Sequence, residues 1–227
     1  MSEVHDEAIA RGTGGHPARR MKSSWALTRV EKRYGARAET VASIVAAPLI
    51  QPTRASYRRY LCDLYGFIVA FEARLAYAYT LDLRFIQERI KSGRMASDLL
   101  SLGLSPYERV RLSQRCVVPR FDTAYKALGW LFVVERMMRE LPAIRRRLCL
   151  ALPSELEVAG QFLGTPEIEI ETSWDELGRV IDRHVHAQPE LDATLLAVHA
   201  ALQCLEEWVL LPATSSASVD TEQLRFP

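Results

Sequence analysis

The residues of this chain best able to ligate a metal or act as nucleophiles are five histidines and four cysteines, and their spacing supports neither role. Cys62, Cys116, Cys149 and Cys204 lie far apart, with no Cys-x-x-Cys and no adjacent histidine pair. Zinc and thioredoxin-type chemistry therefore have no spacing behind them, and buried, inert thiols are the simpler reading. His5 and His16 fall near the N-terminus, His184 and His186 stand two apart, and His199 stands alone. Two residues apart on a helix, side chains point in different directions and cannot share a metal. No Gly-x-Ser-x-Gly elbow or His-Glu-x-x-His helix occurs. Gly12-Thr13-Gly14-Gly15 has no strand leading into it and no Lys-Ser/Thr after it, so it reads as linker rather than phosphate loop. Hydrolase and nucleotide-binding chemistry are thus without a motif. What remains is a positive run, Arg136, Arg139, Arg145, Arg146 and Arg147, able to hold the carboxylates of a ligand or an acidic protein surface, or simply to face solvent. Met137 and Met138 lie in the same stretch; a thioether can serve as an axial metal ligand, but packing is its commoner use.

These groups sit in a chain of 227 residues, enough for one large domain or two small ones. Lys and Arg number 29 against 28 Asp and Glu, so no excess charge draws the chain to nucleic acid. At 48% hydrophobic and 25% charged, the composition is that of an ordinary globular protein. The longest apolar run, at 127–134, falls far short of the roughly 18 residues of a membrane span. The first 22 residues mix both charges with glycines and lack the apolar core of a signal peptide. A cytoplasmic protein with a flexible leader at 1–22, a folded region at 23–211 and a Ser- and Thr-rich tail at 212–227 is the expectation.

Within the folded region the apolar spacing is helical throughout. Ser23 and Ser24 can cap a helix opening near Trp25, and Thr53 can cap a long one carrying Tyr57, Tyr60, Leu61, Leu64, Ile68, Phe71 and Leu75. Shorter helices are expected at 83–90, at 96–102 and, with Pro106 in its first position, at 105–115, punctuated by Gly93 and Gly103. Tyr125, Leu128, Leu131, Phe132, Glu135 and Met138 mark another long helix, which Pro142 should bend or break. Ser173 with Glu176 has the spacing of a capping box for a helix running to about His186, and a final helix is expected at 189–209. The alternation at 167–171 is the one strand-like stretch, too short and acidic to build a sheet. The fold class that follows is a single-domain, all-α bundle.

Several blocks resemble the bacterial heme oxygenases, the biliverdin-producing type that often accompanies phytochromes. They are Thr53-Arg54-Ala55-Ser56-Tyr57-Arg58-Arg59-Tyr60-Leu61 continuing through Leu64-Tyr65-Gly66-Phe67 to Phe71-Glu72-Ala73-Arg74-Leu75; Lys91 with Asp98-Leu99-Leu100-Ser101-Leu102-Gly103-Leu104; Cys116-Val117-Val118-Pro119-Arg120; and Ala127-Leu128-Gly129-Trp130-Leu131-Phe132-Val133-Val134-Glu135. Their order and spacing are similar to that family from about Leu27 to Trp208. The resemblance implies a bundle in which two helices sandwich a heme, opened to biliverdin, carbon monoxide and iron with electrons from a reductase. The family's first helix has the form Leu-x-x-x-Thr-x-x-x-His-x-x-x-Glu, with the histidine on iron; its counterpart here is Leu27, Glu31, Gly35 and Glu39. Glycine has no donor side chain. The family's distal Gly-Ser-x-x-Gly-Gly run, whose missing side chains let the backbone lie on the heme, corresponds to Arg136-Met137-Met138-Arg139-Glu140-Leu141, directly after Glu135. Gly35, Glu39, Glu135, Arg136, Met137, Arg139 and Glu140 are therefore the implied heme-facing positions. Gly35 also has a plainer reading, close packing against another helix. The reading drawn from all this is a diverged, catalytically impaired member that binds a tetrapyrrole (heme or bilin) or a protein partner such as a phytochrome or reductase. An active oxygenase with altered ligation is the alternative, and a purely structural interaction protein the third.

Overall fold

A computed structural model describes residues 24–113 and 117–210. The expected leader and tail and Cys116 lie outside the described residues. Those that are described form ten α-helices and one 3-10 turn, with no strand among them. α1 spans Trp25–Ala46, followed by the 3-10 turn Ala47–Leu49, α2 (Arg54–Leu75), α3 (Leu83–Gln87), α4 (Ser92–Ser101) and α5 (Pro106–Ser113). Then come α6 (Ala124–Met138), α7 (Leu141–Ala151), α8 (Pro153–Ala159), α9 (Glu167–His184) and α10 (Gln188–Leu210). The all-α expectation holds.

The local chemistry accounts for most of these boundaries. The Ser24 hydroxyl accepts from Leu27 N at 3.1 Å, and Thr53 forms a reciprocal box with Ser56. A second box joins Ser105 to Glu108: the hydroxyl accepts from Glu108 N at 3.2 Å while the carboxylate accepts from Ser105 N at 2.8 Å. Each satisfies amide donors that a helix start leaves orphaned. Gly103, at φ +87°, ends α4 in the left-handed region where a side chain would be strained. Pro142 does break the helix, since α6 stops at Met138 and α7 restarts at Leu141.

Two local expectations are corrected, and the alternation at 167–171 builds no sheet, as expected. Ser173 and Glu176 do not cap a helix; both lie inside α9, which starts at Glu167 with Pro166 before it. The Glu176 carboxylate is drawn instead to Arg89, which also donates to the Ser173 carbonyl. The acidic alternation at 167–171 is the opening of α9, where Glu167 and Glu169 face the positive end of the helix dipole. Only Ile170 of its two isoleucines is buried, Ile168 being exposed, as a helix and not a sheet would have it. Gly93 punctuates nothing, being inside α4.

α6 is the centre of the fold. Every residue from Ala127 to Met138 is buried, the mark of a helix packed on all sides. α10, α9, α1 and α2 surround it. Phe67 and Phe71 stack on Trp130 with ring centroids 5.9 and 6.4 Å apart, and Phe132 meets Trp174 of α9 at 5.6 Å. On the α10 side the approach is between backbones. A Cβ added at Gly129 would stand 2.7 Å from the Thr194 carbonyl and 2.6 Å from the Ala197 Cβ, so only glycine admits that crossing. α10 is also long and apolar enough, with a mean hydropathy of 1.2, to cross a membrane by length and composition. Counting unbroken apolar runs missed it. Here its Leu191, Val198, Leu202 and Leu205 are buried in the common core.

Candidate functional site

A helix buried on all sides must find partners for each charge it carries, because an uncompensated buried charge costs several kcal/mol. α6 ends with two, Glu135 and Arg136. Adjacent residues on a helix point about 100° apart, so these two meet different neighbours.

Arg136 points towards α1. Its Nη2 donates to Glu39 at 2.5 Å and its Nη1 to Glu140 at 2.9 Å, one turn on. Its Nε lies 3.7 Å from Glu31, an ion pair without a hydrogen bond. The Arg136 side chain is 10% exposed, whereas those of Glu31, Glu39 and Glu140 are 33%, 63% and 40% exposed. One cation thus gathers three carboxylates at the α1–α6 junction. Tyr60 is buried close by, its phenol pushed up by burial and further by the Glu140 carboxylate.

Gly35 lies on α1 between Glu31 and Glu39, one turn from each, and is buried. A Cβ built there would come within 2.8 Å of the Glu31 Oε2. The face of Gly35 is therefore covered by the carboxylate of its own helix, folded back towards Arg136. This corrects the expectation that Gly35 marks close packing against another helix.

Glu135, 1% exposed, turns the other way. Its Oε1 lies 3.7 Å from Arg89 Nε and 3.8 Å from Lys91 Nζ, with no hydrogen bond to either. Arg89 is otherwise fully engaged: it donates to the Phe85 and Ser173 carbonyls and to Glu176, and its guanidinium lies 3.6 Å over the Phe85 ring. Glu72 completes this side by accepting from Lys91 N at 2.5 Å and Ser92 N at 3.1 Å, which caps α4 from a neighbouring helix. Burial holds the Glu72 carboxyl above the usual range even so.

The seven implied positions therefore part company. Gly35, Glu39, Arg136 and Glu140 come together. Glu135 belongs to the second cluster. Met137 is core, as is Met138, at 6% and 2% exposure. Arg139 leaves for α9, pairing with Glu171 at 3.3 Å and lying 4.9 Å over the Trp174 ring. The positive run divides: Arg136 and Arg139 are taken by carboxylates, while Arg145, Arg146 and Arg147 are exposed as on a solvated face, Arg146 pairing with Glu167 at 3.2 Å. Two residues were not singled out as site residues beforehand, Glu31 and Arg89. The spacing of four between Glu31, Gly35 and Glu39 was the available signal for the first; nothing local signals the second.

Among the described residues no group of three or more His, Cys, Asp or Glu could hold a metal. His199 lies against α1, accepting from Arg37 Nη1 at 3.0 Å and packing on Tyr34, away from the face that meets Arg136. The Cys62 thiol is pushed up to about 11 by burial, in keeping with an inert role, but Cys149 is exposed, against expectation.

A heme held between α1 and α6 would need a donor at position 35 and a wall free of side chains at 136–141. Gly35 supplies no donor, and the guanidinium with its carboxylates stands in the junction, so the residues do not fit the group. No family model matches the chain, and a search of curated proteins finds no significant match.

Proposed function

We propose that this protein is a diverged relative of the bacterial heme oxygenases in which the tetrapyrrole slot is closed, and that it serves heme or bilin metabolism by binding a partner rather than by turning over heme. The observation that supports this reading is the bridge from Arg136 to Glu31, Glu39 and Glu140 at the level of Gly35. It puts charge and side-chain volume where an active member needs an imidazole on one side and bare backbone on the other. Opening the junction would strand a guanidinium and three carboxylates, and Met137 and Met138, already packed in the core, are not placed as substitute ligands.

An absorption titration with hemin tests the proposal. The unmodified protein should give no saturable one-to-one spectrum and, with a reductase and oxygen, no biliverdin. Gly35→His alone should not create a histidine-ligated spectrum. Combined with Arg136→Gly, Met137→Ser, Arg139→Gly and Glu140→Gly it should, provided circular dichroism shows the helices intact. Tight binding of heme by the unmodified chain with a defined axial ligand, or biliverdin formed at an enzymatic rate, would overturn the closed-slot reading.

A further inference from the structure

At the C-terminal end of α2 a cavity of about 560 Å³ opens between Arg74, Tyr77, Tyr79, Arg120, Phe121 and Asp122, beside the start of α6, whereas Arg136 lies near the end of that helix. The volume falls in the range of small-molecule sites, roughly 300 to 1,000 Å³. Its lining combines two features that a solvated surface does not need. The first is aromatic. Tyr77 and Tyr79 are 65% and 86% exposed, meet edge to face with centroids 6.3 Å apart, and among the described residues make no hydrogen bond through either phenol. Phe121 is buried, and packs on Phe71 and Trp130 at 5.9 and 5.8 Å, so one wall is anchored to the rigid aromatic core. Two exposed tyrosine rings thus share the cavity lining with a fixed phenylalanine, an aromatic surface that a flat ring system can cover.

The second feature is charge. Arg74 is pinned by a hydrogen bond from its Nε to the Val118 carbonyl at 3.0 Å, which leaves its two terminal nitrogens without a partner among the described residues. Arg120 has no hydrogen bond or ion pair among them. The one carboxylate of the cavity, Asp122, is already paired with Lys126 at 2.8 Å. Two arginines therefore line one cavity with no anion committed to them among the described residues, and the planar guanidinium fork suits phosphate or carboxylate.

We propose that this cavity binds a planar aromatic anion, a ring system carrying a phosphate or carboxylate, with the ring against Tyr77 and Tyr79 and the anion on Arg74 and Arg120. The site does not depend on the state of the α1–α6 junction.

Flavin mononucleotide is a suitable probe, because stacking on tyrosine quenches its emission and its phosphate can be removed. Titrating the full chain into the flavin should give saturable quenching, and riboflavin, which lacks the phosphate, should bind about tenfold more weakly, the value of one lost charge-assisted hydrogen bond. Arg120→Gln should reduce that preference for the phosphorylated form while leaving riboflavin binding unchanged, and Tyr79→Ala should reduce the quenching itself. Both positions are exposed, so neither change should alter the far-ultraviolet circular dichroism. Quenching that does not saturate, equal affinity for the two flavins, or indifference to both substitutions would each overturn the proposal.

Discussion

The guanidinium of Arg136, on the central helix α6, donates to the carboxylate of Glu39 on α1 over 2.5 Å, and this contact ties the two helices at the level of Gly35. The same cation also answers Glu31 and Glu140. Arg136→Met keeps much of the apolar stem but leaves three carboxylates facing one another. Breaking a fully buried pair costs about 3–5 kcal/mol. The carboxylates here are partly exposed, so a loss of about 1–3 kcal/mol is expected in urea denaturation at low ionic strength. The deficit should shrink in about 1 M salt, where the Debye length falls to about 3 Å and the repulsion is screened.

Gly35 and Gly129 look alike in sequence and should respond oppositely to alanine. At Gly35 the obstructing atom is the tip of the flexible Glu31 side chain, which can swing aside. The helix-propensity gain of about 1 kcal/mol should then leave Gly35→Ala as stable as the parent or slightly more so. At Gly129 the obstruction is the backbone of α10, with Val198 N at 2.9 Å, and neither helix can move without unpacking the core. Gly129→Ala should lower the melting temperature and cost about 1–3 kcal/mol, the range for overpacking. A milder effect at Gly129 than at Gly35 would show that the α6–α10 crossing is looser than described.

Glu135→Gln removes the one negative charge between Arg89 and Lys91. Arg89 retains Glu176, but Lys91 loses its only ion pair among the described residues. A loss of about 3 kcal/mol is expected, at the lower edge for an uncompensated buried charge. Glu135→Gln together with Lys91→Met should recover part of it, and a double variant no better than the single one would deny the coupling.

Glu72 predicts a pH dependence whose sign runs against the usual acid lability of ion-paired carboxylates. Desolvation raises its folded pKa although Lys91 N and Ser92 N donate to it. The folded state then holds that proton more tightly than the unfolded chain, so this group favours folding at pH below the unfolded carboxylate range, and the contribution is lost as pH rises through the folded value. Comparing denaturation of the parent with Glu72→Gln at pH 7 and near pH 4 isolates it. The parent should gain on the variant as the pH falls; a parent that loses ground instead would place the folded pKa below, not above, that of the unfolded chain.

Helical class, most element positions and several caps were legible in the sequence, because each rests on interactions three or four residues apart. Thr53 with Ser56, Ser24 with Leu27, the break at Pro142 and the turn at Gly103 depend on the chain's nearest neighbours, which the sequence lists directly. The same logic failed where a distant group outbid a local one. Ser173 and Glu176 have the spacing of a capping box, yet Arg89 takes Glu176 and the Ser173 carbonyl, and α9 extends back to Glu167. The pairing of charges was beyond any local reading. Glu135 and Arg136 are neighbours in the chain, but the rotation of α6 sends one to Arg89 and Lys91 and the other to Glu31 and Glu39, 97 residues away in the case of Glu39. The sequence by itself decided that these charges lie on a helix with few polar neighbours. Which carboxylate meets which cation, and whether the α1–α6 junction is open or bridged, was decided only when the crossing of the helices set the distances across which those charges act.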